Sequence, residues 1–142
     1  MKNKVFLVVL CSILLVGCST TRLDTSASKE VPVERMFWES GRDNTVGKST
    51  IIVKRDQGFI GAGCFQNVHF NGIKIAELNA GEKVTFYTHS GDFTLSTYLG
   101  GNPMCASLLS SLNAKILPNS INVFRIFVKN GSTPNIVRDN VK

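Results

Sequence analysis

From Ser49 onward the chain runs in short apolar stretches punctuated by Gly, Asn, Ser and Pro. Ser49-Thr50-Ile51-Ile52-Val53-Lys54-Arg55 is rich in β-branched residues and reads as a strand. Residues 58–63 read as a glycine-rich link. The runs 65–70 and 73–78 flank Asn71-Gly72, the strongest short hairpin signal, because both turn residues must take positive φ. A two-residue turn sets Phe70 opposite Ile73 and Val68 opposite Ile75, on one apolar face. His69 and Lys74 then pair on the other face, as a half-buried hairpin requires. Beyond a turn at 79–82, the runs 83–89 and 92–97 flank Ser90-Gly91. Read as a second two-residue turn, it sets Phe86 opposite Leu95 and Thr88 opposite Phe93, with Val84, Phe86, Phe93 and Leu95 on one side.

Residues 98–103 read as a loop, and residues 104–112 fit a short helix or a strand, since Leu108, Leu109 and Leu112 suit either. Residues 114–117 and 121–128 read as strands around Pro118-Asn119-Ser120. In the second of them Phe124, Ile126 and Val128 alternate with Arg125 and Phe127. Residues 136–138 make a short last strand. Residues 34–41, with Met36, Phe37 and Trp38, are compatible with a first strand or a short helix, and a loop follows to Gly47. About seven short strands at regular spacing predict an all-β fold, a small antiparallel β-sandwich.

The N-terminal part has a different texture. Residues 19–33 are mostly small and polar, with no apolar period, and read as a flexible tether. Before them, Lys2 and Lys4 precede an apolar run from Val5 to Val16, broken only by Ser12, and then Gly17-Cys18-Ser19. A basic start, a short apolar core and a small-residue cleavage site make a secretory signal. The run is too short for a bilayer span, which needs roughly 20 residues. Leu15-Val16-Gly17-Cys18 resembles the lipobox of bacterial lipoproteins. That resemblance implies cleavage before Cys18, a diacylglycerol on its thiol and an acyl chain on its new amine. Several chains anchor stably where one binds only marginally. The alternative is an ordinary signal with a chance cysteine. Ser19 stands where an aspartate would resemble an inner-membrane retention signal, so the resemblance implies the bacterial outer membrane, with the domain in the periplasm. The expected organisation is a signal peptide at 1–17, a lipidated tether at 18–33 and a β-sandwich at 34–142.

Charge and cysteines refine this picture. The formal charge of +6 falls when Lys2 and Lys4 leave with the signal. A modest positive balance suits anionic envelope partners. No basic cluster with interleaved aromatics is present, which argues against nucleic acid. Of the four cysteines, Cys11 leaves with the signal and Cys18 takes the lipid, so Cys64 and Cys105 remain. In an oxidising compartment a disulfide between them is the default. Two buried thiols or a metal pair are the alternatives; for a metal only His69 and His89 remain as partners, and the spacing matches no zinc pattern.

Residues 68–78, then Gly81-Glu82, then Ser90-Gly91-Asp92-Phe93-Thr94-Leu95 resemble the PEGA-like pattern of strand, Asn/Asp-Gly, strand, Leu, Gly, strand, Pro-Gly. Small bacterial envelope lipoproteins share that pattern. The resemblance covers about a fifth of the chain beyond the lipobox and implies a surface-layer or carbohydrate-active accessory β-sandwich. Ser90 departs from it, where proline is common. The pattern's glycines are turn glycines, so it marks a fold and no catalytic residue.

Candidate chemistry is sparse. Gly47-Lys48-Ser49-Thr50 looks like the end of a P-loop, but the required earlier glycine is replaced by Arg42, with Gly41 one place off, and no helix pattern follows. His69 and His89 fall on polar strand faces or turns and read as solvated, with an acid–base or metal role as the alternative. No serine sits in Gly-x-Ser-x-Gly, and no carboxylate cluster has calcium-loop spacing. Asp92 reads as a turn residue. Trp38 and Phe37 read as core aromatics of a first strand, or as a sugar-stacking or membrane-facing platform. These features predict no catalytic, cofactor or metal site. They fit a non-enzymatic envelope module that binds a protein or glycan, with an exposed edge strand, for instance 48–55 or 122–129, open to strand addition. An enzyme or accessory module acting on envelope glycans, and a phage- or plasmid-type exclusion or immunity lipoprotein, are the alternatives.

Overall fold

The computed structural model describes residues 20–58, 61–129 and 133–139. The signal peptide and the lipidation expected at Cys18 lie outside these residues. Nine strands are present among the described residues: β1 (Lys29–Glu30), β2 (Ser49–Arg55), β3 (Phe65–Phe70), β4 (Ile73–Leu78), β5 (Glu82–Thr88), β6 (Gly91–Gly100), β7 (Ser110–Ile116), β8 (Ile121–Val128) and β9 (Pro134–Arg138). They form two sheets, ordered β1-β5-β2-β8-β9 and β4-β3-β6-β7. The fold is an all-β sandwich, as the strand spacing predicts. Most pairs are antiparallel; β2 runs parallel to β8, and β1 parallel to β5.

Alternation explains the layers. Ile51 and Val53 of β2, Val84 and Phe86 of β5, and Phe124 and Ile126 of β8 are buried from one sheet. Val68 and Phe70 of β3 and Phe93 and Leu95 of β6 meet them from the other. A chain of rings crosses this core: Trp38 packs on Phe70 and Phe86, Phe70 on Phe86 and Phe93, and Phe93 on Phe124, with centroids 5.3–5.6 Å apart. Such offset and edge-to-face pairs add to plain area burial. Residues 34–41 form no strand, and of the two elements considered only short helical turns of the 3-10 kind are found. They hold two short 3-10 turns, Val33–Arg35 and Glu39–Arg42, that deliver Trp38 to the core between β4 and β5. Gly41 is needed there, because a Cβ on it would sit 2.5 Å from the Trp38 ring.

The first hairpin turns as the Asn-Gly signal predicts. Asn71 and Gly72 have φ of 49° and 80°, Phe70 pairs with Ile73, and His69 with Lys74. The register then slips: Val68 pairs with Ala76, leaving Ile75 as the extra residue of a β-bulge. Both Ile75 and Ala76 are buried, which strict alternation does not provide. The second hairpin does not form. β5 and β6 belong to opposite sheets, so Ser90-Gly91 is a crossover, and Phe86 and Leu95 meet across the core instead of along a ladder. The four apolar residues still point at one core, from two layers.

Two further expectations change. Residues 104–112 divide: 101–109 is irregular, and a strand starts at Ser110. The tether assigned to residues 19–33 is docked from Thr20 onward. Thr21 bridges Gln57, Lys29 and Glu30 pair with Glu82 and Lys83, and Ser28 and Val31 are buried. The polar composition is satisfied by the sheet it covers, a partner invisible to local pattern.

Candidate functional site

Arg55 ends β2 with only 4% of its surface exposed. It donates through Nη1 to the carbonyls of Cys64 (2.7 Å) and Leu78 (2.8 Å), and through Nη2 to that of Gly61 (2.6 Å). Burial pushes the guanidinium down to about 10, partly offset by the charge of Glu82, so it stays cationic at neutral pH. Its fork ties the ends of β2 and β4 to the loop before β3. Cys64 in that loop is joined to Cys105 by a disulfide, with Cα atoms 5.5 Å apart. Ser107 Oγ accepts from the Leu99 N–H (2.8 Å), so loop 101–109 is held at two points.

A second polar cluster lies where the N-terminal strap covers the five-stranded sheet. The buried Lys54 ammonium meets Asp139 at 2.6 Å and donates to the Leu23 carbonyl at 2.8 Å. Asp139 also takes Arg22 at 2.7 Å. Lys83 donates to Thr25 O. Beside them the fully buried carboxylate of Asp56 accepts a fork from Arg125, Nε at 2.8 Å and Nη2 at 2.5 Å. At the sandwich mouth Arg35 grips Glu82 with two bonds of 2.7 Å. Burial of Glu82 works to raise its pKa, but hydrogen bonds from Arg35 and the Asn79 N–H, with the charges of Arg35 and Arg55, hold it below the usual carboxylate value.

The residues singled out from sequence are scattered. His69 stands on the outer face of the four-stranded sheet, stacked on Tyr98 at 5.5 Å and paired in register with Lys74. Its Nδ1 is buried without a hydrogen-bond partner. Desolvation, then the Lys74 charge, lowers its pKa, so the ring is neutral at pH 7. His89 is exposed after β5, in the other sheet. Trp38 is partly buried and packs against the core, while Phe37 is half-exposed, with the Lys74 ammonium 5.1 Å from its ring centroid. Ser49 opens β2, so no helix follows the P-loop-like stretch. Asp92 is exposed on β6. Among the described residues no three His, Cys, Asp or Glu side chains gather as a metal group, and no helix is long and apolar enough to cross a membrane.

The strands expected as edges, 48–55 and 122–129, are interior: β2 lies between β5 and β8, and β8 between β2 and β9. On one side the two sheets close, with Ser110 Oγ on Pro134 O and Arg138 on Lys115 O. The other side carries the accessible edge of β5. β1 covers only Glu82 and Lys83 there, and the Glu30 carboxylate caps Thr85 N at 2.6 Å and Thr85 Oγ1 at 2.9 Å. That cap lines an open groove of about 470 Å³, together with Val31, Val33, Met36, Arg42 and Tyr87. A second open hollow of about 500 Å³ is lined by Asn71, Asp92, Phe93, Thr94, Asn113 and Ala114. The β5 groove was not read from sequence, because it is assembled from the strap, a 3-10 turn and a strand far apart in the chain. No protein-family model and no curated protein matches the chain.

Proposed function

We propose that the chain is a lipid-anchored, non-enzymatic binding module of the bacterial cell envelope, held by Cys18 in the outer membrane with its domain in the periplasm. The observation that carries this reading is the lipobox-like Leu15-Val16-Gly17-Cys18 standing directly before a β-sandwich stapled by Cys64–Cys105. A disulfide suits an oxidising compartment. The PEGA-like resemblance of residues 68–95 points the same way, towards an accessory module of the envelope. The groove beside β5 is the binding surface. It offers an apolar floor, the Arg42 guanidinium, the Glu30 carboxylate and the backbone edge of β5 past Thr85 to an extended segment of an envelope protein, by strand addition. Envelope glycan is the competing ligand class.

In-cell cross-linking of the intact chain, then capture and mass spectrometry, tests this, with Cys18→Ala as the mislocalised control. A specific partner lost with Cys18→Ala, and also lost with Val33→Asp in the groove, is the expected result. Recovery of the same abundant envelope proteins from all three samples refutes the protein-binding reading. Hydrolytic or transferase activity in the purified domain, abolished by a point substitution, refutes the non-enzymatic one.

A further inference from the structure

Thr20 fixes which end of the sandwich faces the anchor. Its N–H and hydroxyl are within 3.5 Å of Val128 O, at the end of β8, and its Cα lies against Gly58, beyond the end of β2. Only Ser19 separates it from Cys18. Two residues reach at most about 7 Å. A lipid on Cys18 therefore leaves no slack, and the end of the molecule that carries Thr20 must lie at the bilayer surface.

The same end carries an unexplained apolar loop. β3 begins there after Cys64, β6 ends there at Gly100, and β7 begins there at Ser110. Ser110 Oγ reaches Pro134 O, and Pro134 pairs with Val128, the residue that binds Thr20. Between β6 and β7, Met104, Leu108 and Leu109 are 95%, 74% and 62% exposed. The loop holds its shape without burying them, through the disulfide at Cys105 and the Ser107–Leu99 bond. Lys129, next to Val128, is exposed and positively charged. Clustered apolar tips with a nearby cation suit the boundary between headgroups and acyl chains. The opposite end also exposes Ile73, Leu117 and Ile121, so exposure alone does not choose an end; the anchor point does.

We propose that the disulfide-pinned loop 101–109 is a membrane-contact surface, with Met104, Leu108 and Leu109 seated in the phospholipid leaflet that holds the lipid of Cys18. This rests on the lipid-anchor reading and goes beyond it: the domain is clamped to the bilayer in one orientation, with the hairpin turn at Asn71-Gly72 pointing away.

The native Trp38 is a built-in control, since it packs between Phe70 and Phe86 towards the far end. The test uses the full lipidated chain in vesicles of phosphatidylethanolamine, phosphatidylglycerol and dibrominated phosphatidylcholine. Met104→Trp and Leu108→Trp each add one reporter at an exposed position outside the core. Expected is a loss of fluorescence from the added tryptophans in brominated vesicles, with none in the unsubstituted protein. Acylated, vesicle-bound protein that shows no loss at either position, or loss at Trp38, overturns the orientation and leaves the anchor standing. The mass of the Cys18 peptide is read first: an unacylated Cys18 removes the anchor and this inference together.

Discussion

Among the described residues the buried charges Lys54, Arg55 and Asp56 each have a partner, and the partners differ in what their loss would do. Lys54 is almost fully buried, and Asp139 is its only carboxylate among the described residues. Asp139→Asn strands the ammonium, and breaking such a pair costs about 3–5 kcal/mol. Arg22 binds the same carboxylate from the half-exposed side, and an exposed pair contributes about 0–1 kcal/mol. Urea denaturation of Asp139→Asn and Arg22→Ala is expected to show that contrast; equal losses would mean that Lys54 finds other solvation. Glu82 carries the acid sensitivity. Its folded pKa lies below the reference value of 4.5, so its stabilisation is complete above that value and is lost as pH falls through the lower, folded one. His69 adds to this from a higher window. Its folded pKa lies below 6.5, so the unfolded chain takes up the proton first and stability declines as pH drops under 6.5. Glu82→Gln is expected to flatten the stability profile below pH 4.5 and His69→Gln to flatten the shoulder above it, measured by denaturation midpoints across pH 3–7.

At the scale of elements, turn chemistry was legible and strand partnership was not. Asn71-Gly72 needs two positive φ values, and that local demand set the hairpin's first two pairs correctly. The bulge at Ile75 coincides with contacts from a distant segment: residues 36 and 37 lie along the outer edge of β4, where Met36 bridges Ala76 and Phe37 N–H donates to Ile75 O. Ser90-Gly91 shows the limit more sharply. Alternating apolar residues on either side of a short turn satisfy a hairpin and a crossover between sheets equally well, because both send Phe86 and Leu95 to the core. The strap teaches the same lesson. Residues 20–31 have no apolar period, and they order by giving carbonyls to Lys54 and Lys83 and backbone pairs to Gln57 and β5. Arg55, Asp56 and Arg125 were also missed, although three consecutive charged residues closing an apolar strand, Lys54-Arg55-Asp56, were a signal that something would cover them.

For the whole molecule, the disulfide is the one covalent link between the loop before β3 and the loop after β6. It spans 41 residues, for which loop entropy gives about 4 kcal/mol. The Cys64→Ser, Cys105→Ser double variant is expected to unfold at lower urea by that amount, and to be cut first within 101–109 under limited proteolysis. Unchanged stability would show that the Arg55 fork on the loop before β3 and the Ser107–Leu99 bond in loop 101–109 hold the two loops without it. Sequence by itself determined what depends on neighbours along the chain: strands of the right length, an Asn-Gly turn and the expectation that Cys64 and Cys105 pair. Tertiary structure alone decided which strands are interior, that β5 and β6 part company, that the tether is a strap and that the apolar loop shares an end with Thr20. The physical reason is common to all four. Alternation tells each residue which way is inside, but the partner that fills the inside or covers the outside is chosen by packing between segments distant in sequence, on which local pattern carries no information.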